Sequence, residues 1–131
     1  MDPDRSRGAA AAAGADAVAA GANAVAASAL EQGDYAAAAT LAESIHPTDL
    51  EIDSRRTTYF VDYARALWGL RRPDEAVVAL LAQAEKIGPV RTRSNAFARE
   101  IVSTMVERAR RQAVAREARG LASRMGLLKT A

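Results

Sequence analysis

Histidine occurs once in the 131-residue chain, at His46 beside Pro47, and cysteine does not occur at all. Paired-histidine metal sites, thiolate sites and cysteine nucleophiles are therefore outside the chemistry of a single chain. Asp49, Glu51 and Asp53 alternate as the first ligands of a calcium loop do. The sixth loop position lacks its glycine, however, and Phe60 stands where the twelfth-position glutamate belongs. Glu51 and Arg55 are expected instead to pair across one helical turn, worth roughly a few tenths of a kcal/mol. Ser28, Ser44, Ser54, Ser94, Ser103 and Ser123 have no histidine partner except His46 near Ser44, and neither a Gly-x-Ser-x-Gly elbow nor a glycine-rich phosphate loop is present. No catalytic residue, no metal ligand set and no cofactor is expected, and the chain reads as a non-enzyme.

Binding chemistry is left. Arg99, Arg108, Arg110, Arg111, Arg116, Arg119 and Arg124 give the last third a basic cast suited to phosphates, but Glu100, Glu107 and Glu117 are interleaved and no aromatic stands among them to stack on bases. The overall balance is 18 Lys plus Arg against 16 Asp plus Glu, a formal charge of +2. Alanine and arginine together suggest GC-rich coding, which accounts for arginine clusters without any ligand. The one tryptophan, Trp68, reads either as a core-edge side chain or as part of a groove.

The elements that must position these residues are helices. Hydrophobic residues make up 50% of the chain and aromatics only 5%, so alanine supplies much of the apolar content and favours closely approaching helices over sheet. Residues 1–14, with Pro3, Gly8 and an alanine run, are expected to be a disordered lead, and 15–128 one helical domain. The start lacks the strong hydrophobes of a secretory signal, and Gly14, Asp16, Gly21 and Asn23 interrupt its apolar character, so neither a signal peptide nor a membrane span is expected and the location is cytoplasmic.

Val18, Ala22, Val25, Ala26 and Ala29 pattern a first helix, broken at Gly33-Asp34. Ala38, Leu41, Ala42 and Ile45 pattern a second, ended by His46-Pro47. A third is expected from a cap at Asp49 or Ser54, with Phe60, Tyr63, Ala64 and Leu67 on its apolar face. Arg72-Pro73-Asp74-Glu75 restarts a fourth, with Val77, Leu80, Leu81, Ala84 and Ile87, and Leu80 is expected in the core. The fifth, from about Ser94 to Ala109, carries Ala98, Ile101, Val102 and Met105; the sixth carries Val114, Ala118, Leu121, Ala122 and Met125 and stops at Gly126.

These helices repeat. Ala26, Ala64 and Val102 are spaced by 38 residues, as are Ala38, Ala76 and Val114, and also Ala42, Leu80 and Ala118. Gly33-Asp34-Tyr35-Ala36 aligns with Arg71-Arg72-Pro73-Asp74, and the third copy, Ala109 to Gln112, has no turn residue. The pattern resembles tetratricopeptide repeats, with Gly33, Tyr35 and Ala38 matching the turn, although the period exceeds the roughly 34 residues of that family and its early tryptophan is missing. The expected fold is thus all-α, a tetratricopeptide-like array of three antiparallel helix hairpins.

A second likeness covers residues 24–128. YFVDYARALWGLRRPDEAVVALLAQAEKIGPVRTRS, AREIVSTMVERAR and ARGLASRMGL resemble the carboxy-terminal helical-repeat region of XRE-type helix-turn-helix regulators of actinomycetes. The matching segments here are Tyr59 to Ala66, Ala79 to Leu81 and Gly88-Pro89. The resemblance implies a sensing or partner-binding domain normally attached to a DNA-binding domain, for which the residues before 24 are too few. It implies a protein or peptide partner. Direct nucleic-acid binding by the arginine-rich helices is the alternative. Setting Ala64 and Val102 in register predicts a concave face of Thr58, Val61, Arg65 and Trp68 followed by Arg99, Ser103 and Val106.

Overall fold

The computed structural model describes residues 3–108 and 112–128, and these are all-α, with no strand among them. Helix α1 runs Pro3–Glu31, α2 Tyr35–Ser44, α3 Asp53–Gly69, α4 Asp74–Ile87, α5 Pro89–Ser94, α6 Ala96–Arg108 and α7 Gln112–Arg124, with one 3₁₀ turn at Pro47–Asp49. Residues 3–14, expected as a disordered lead, are helical here, because the alanine run has the highest helix propensity of any residue type. The side chain of Val114 and the third repeat break at 109–111 lie outside the described residues.

Local chemistry sets the helix ends. The Asp34 side chain accepts from the Ala37 N–H at 3.1 Å and caps α2. Asn95 does the same for α6, accepting from the Ala98 N–H at 2.9 Å. That cap starts the expected fifth helix at Ala96, and Pro89, in the first turn of α5, opens an additional short helix before it that the sequence pattern did not announce. Neither Asp49 nor Ser54 caps α3: Asp49 belongs to the 3₁₀ turn, and Ile52 holds the cap position without a side-chain bond. Asp74 and Glu75 open α4 and Lys86 closes it, all favourably placed in its dipole.

Helix α3 is the centre of the molecule, touching α1, α2, α4, α5 and α6. One side of it, with Val61 and Ala64, joins the main core of Val77, Val78, Leu81, Ala98, Val102, Met105 and Leu121. The opposite side, with Tyr59, packs on Ala19, Ala42, Ile45 and Leu50. Ala66, on that same side, packs on Leu30, Ala38 and Ala39. The Tyr59 hydroxyl donates to the Ala42 and Ile45 carbonyls at 2.9 and 3.4 Å. Its pKa is pushed up to about 12, chiefly by burial and secondarily by Tyr63. On α4 the fully buried leucine is Leu81, not Leu80, which packs half-buried at the edge of the core. The α4 carboxylate of Glu85 accepts from Arg124 Nε at 2.6 Å and Arg93 Nε at 3.4 Å, tying α7 and α5 to α4.

Helix α1 is fastened by Asp16, which pairs with Arg55 at 3.3 Å and accepts the Glu51 N–H at 3.1 Å. Arg55 is thus bonded across to α1 rather than to Glu51 along its own segment. The other face of α1 leaves Val18 75% and Val25 57% exposed. Ala11–Glu31 is long and apolar enough by length and composition alone to cross a membrane, a criterion that core helices and signal sequences also meet, and Ala19, Ala26 and Leu30 on it are buried against the rest of the fold.

Candidate functional site

The turn from α3 to α4 builds one wall of an open cleft. The Arg71 N–H donates to the Trp68 carbonyl at 3.0 Å and the Arg72 N–H to the Leu67 carbonyl at 2.9 Å, a pair of bonds that requires Arg71 to be left-handed, at φ 56°. The turn thereby sets Trp68, Arg71 and Arg72 side by side. Tyr35, the first residue of α2, supplies the floor, its ring lying directly on Gly69. A Cβ at position 69 would sit 2.4 to 2.6 Å from three ring carbons. From α6 come Phe97, Glu100 and Arg108.

Two chambers share Tyr35, Trp68 and Gly69. The first, about 210 Å³, is completed by Arg65, Phe97, Glu100 and Ile101. The second, about 660 Å³, is completed by Arg71, Arg72, Asp74 and Arg108. The Arg65 guanidinium lies 3.5 Å from the Phe97 ring centroid, and that of Arg108 lies 4.3 Å from the centroid of Trp68. Such contacts hold the cations over the rings with about 0.5–2 kcal/mol each. Arg108 also approaches Asp74 at 3.7 Å. Four arginines thus face two carboxylates around three aromatic rings, so the cleft is net basic and its lining mixes aromatic faces with charged groups. One helical turn before Arg65, burial pushes the Asp62 carboxyl up to about 6, against the opposing pull of the Arg65 cation.

Of the residues expected on a concave face, the structure brings Arg65 and Trp68 together. Val61 is a correction: at 4% exposure it belongs to the core and offers nothing to a partner. Arg99 is another. Its Nη1 donates to the Met125 carbonyl at 2.6 Å and the Arg93 carbonyl at 3.0 Å, so it closes the carboxy end of α7. Ser103 and Val106 follow Arg99 along one side of α6, about 200° around the helix from Phe97. Val106 packs against the main core. Thr58, half-buried, shares the Arg65 side of α3 two turns away and lines neither chamber.

Tyr35, Phe97, Glu100, Arg71 and Arg72 were not read as site residues, and Arg108 only as one of the arginines suited to phosphates. The alignment of Gly33 with Arg71 was the available signal for the turn. Phe97 carried none, because shifting the register by 38 residues points to the far side of α6. No family model matches the chain, and neither a curated protein nor a solved structure matches it.

Proposed function

We propose that this chain is a non-enzymatic interaction module, a tetratricopeptide-like array of the pairs α1–α2, α3–α4 and α6–α7 whose Trp68 cleft holds a peptide segment of a partner protein. The array reading is supported by the repeat itself. Ala26, Ala64 and Val102 are all buried, each pair packs together, and Gly33 and Arg71 take the same left-handed turn 38 residues apart. The likeness of Tyr59 to Ala66 and its neighbours to XRE-type regulators points to a cytoplasmic regulatory role exercised by binding.

The observation that carries the binding reading is the cleft: three aromatic rings and four arginines converge at an open surface, with Glu100 and Asp74 beside them. Direct nucleic-acid binding by the last helices would lose Arg99 and Arg124 to internal bonds with Met125 and Glu85. The test is selection of a displayed random peptide library against the immobilised protein. The wild type should enrich a family of related sequences, and Trp68→Ala and Arg65→Glu should bind them at least about tenfold more weakly while keeping a helical spectrum. Undiminished binding by both variants refutes the assignment.

A further inference from the structure

Three helix ends in this protein are built alike. After α1, the Gly33 and Asp34 N–H groups donate to the Leu30 and Ala29 carbonyls. After α3, Arg71 and Arg72 donate to Trp68 and Leu67, and after α7, Gly126 and Leu127 donate to Ser123 and Ala122. Each such turn needs one residue in the left-handed region, and two of the three use glycine, Gly33 at φ 74° and Gly126 at φ 69°. The third uses Arg71, the one non-glycine residue with positive φ among the described residues. Chirality penalises an L side chain there, and an arginine lacks the short side chain with which asparagine eases that conformation.

What the side chain does offset this with is absent from the fold itself. Among the described residues neither Arg71 nor Arg72 has a side-chain hydrogen bond or ion pair, whereas Arg108 already pairs with Asp74. Both arginines line the 660 Å³ chamber beside Trp68 and Tyr35, and that chamber shares Tyr35, Trp68 and Gly69 with the 210 Å³ one beside Phe97. A strained residue presenting an unpaired charge at a cleft is how local strain is kept for a ligand.

We infer that the two chambers form one bipartite site, in which a partner segment lays an apolar or aromatic side chain against Phe97 and Trp68 and sets a neighbouring carboxylate on Arg71 and Arg72. Arg71 is the residue that selects the acid. The inference rests on the cleft being the peptide site proposed above, and names the chemistry of what it takes. Charge complementarity commits the occupant: the second chamber has three arginines against Asp74 alone, and a guanidinium binds a carboxylate through parallel charge-assisted hydrogen bonds.

The experiment is the displayed-peptide selection run in parallel on the wild type, Arg71→Gly, Arg71→Lys and Trp68→Ala. The wild type should enrich sequences in which Asp or Glu adjoins a large apolar residue. Arg71→Gly should select apolar residues without the acid, bind the wild-type peptides at least tenfold more weakly, and show a thermal midpoint no lower than that of the wild type, since glycine suits the turn. Arg71→Lys should recover part of the acid preference. An unchanged acid preference in Arg71→Gly, with binding lost in Trp68→Ala, overturns the role of Arg71 and leaves the cleft standing as the peptide site. Unchanged binding in every variant overturns the peptide-site reading as well. A midpoint lowered in Arg71→Gly would make Arg71 a structural residue and also overturn the inference.

Discussion

Substituting Gly69 by alanine should destabilise the protein, although in an ordinary helix the same change stabilises. Gly69 is the last residue of α3, and its backbone is not left-handed, so nothing in the local conformation demands glycine. The demand comes from Tyr35. The added Cβ would stand 2.4 Å from Cγ, 2.5 Å from Cδ1 and 2.6 Å from Cδ2 of the ring. Carbon atoms rest at about 3.5–4.0 Å, so the ring must retreat by about 1 Å or more. Tyr35 is half-buried against the cluster of Leu30, Ala38, Ala39 and Ala66, and moving it forfeits part of that packing, a loss of about 1–3 kcal/mol. Helix propensity returns at most about 1 kcal/mol. The expected net cost is about 1–2 kcal/mol, read as a lower midpoint in thermal or urea unfolding followed by circular dichroism. In a Tyr35→Ala background the ring is gone, and Gly69→Ala should become neutral or stabilising, giving a coupling of about 1 kcal/mol or more in the double-mutant cycle. A stabilising Gly69→Ala in the wild-type background would refute the reasoning, and with it the seating of Tyr35 as the cleft floor.

Three further outcomes follow from the packing and the charges. Leu81→Ala should cost about 2–5 kcal/mol in urea unfolding and Leu80→Ala clearly less, because only the former side chain is fully enclosed; equal costs would contradict the register of α4. Asp62 binds its proton more tightly when folded, at about 6, than at its ordinary 3.8, so the stability it contributes is present below about pH 4 and lost as pH rises through 6. Asp62→Asn should therefore raise the midpoint in calorimetry at pH 8 and leave it nearly unchanged at pH 4, whereas equal shifts at both would argue against a buried carboxyl. Arg99→Ala should lower the midpoint more than Arg65→Ala does, by about 1–2 kcal/mol of lost hydrogen bonding to Met125 and Arg93, and a neutral Arg99→Ala would return Arg99 to the surface.

Periodicity was a reliable guide where a helix buries one face. Ala98, Ile101, Val102 and Met105 on α6, and Ala118, Leu121, Ala122 and Met125 at the end of the chain, were legible and are all buried. Helix α3 defeated the same argument because it is enclosed on two opposite sides: Tyr59 and Ala66 look off-stripe in sequence yet pack against the first hairpin. Glycine marked the turns at Gly33 and Gly126, but at Arg71 the chain adopts the same geometry without the residue that announces it. Arg65 and Trp68 could be found from the repeat. Their cleft partners could not, since Tyr35 belongs to the preceding pair and Phe97 to the side of α6 that a simple register shift leaves out.

Trp68 is the chain's one tryptophan, and it stands between the two chambers with the Arg108 guanidinium over its ring. Its fluorescence therefore reports on the cleft and nowhere else. Titrating a library-selected peptide into the protein, with heat of binding measured in parallel, shows whether the peptide is held at Trp68. A peptide seated in the cleft gives a saturable change in Trp68 emission whose midpoint equals the calorimetric dissociation constant, because an occupant must displace Arg108 or exclude water from the indole. Calorimetric binding with the emission of Trp68 unmoved would contradict that seating, since the partner would then be held on another face of the molecule.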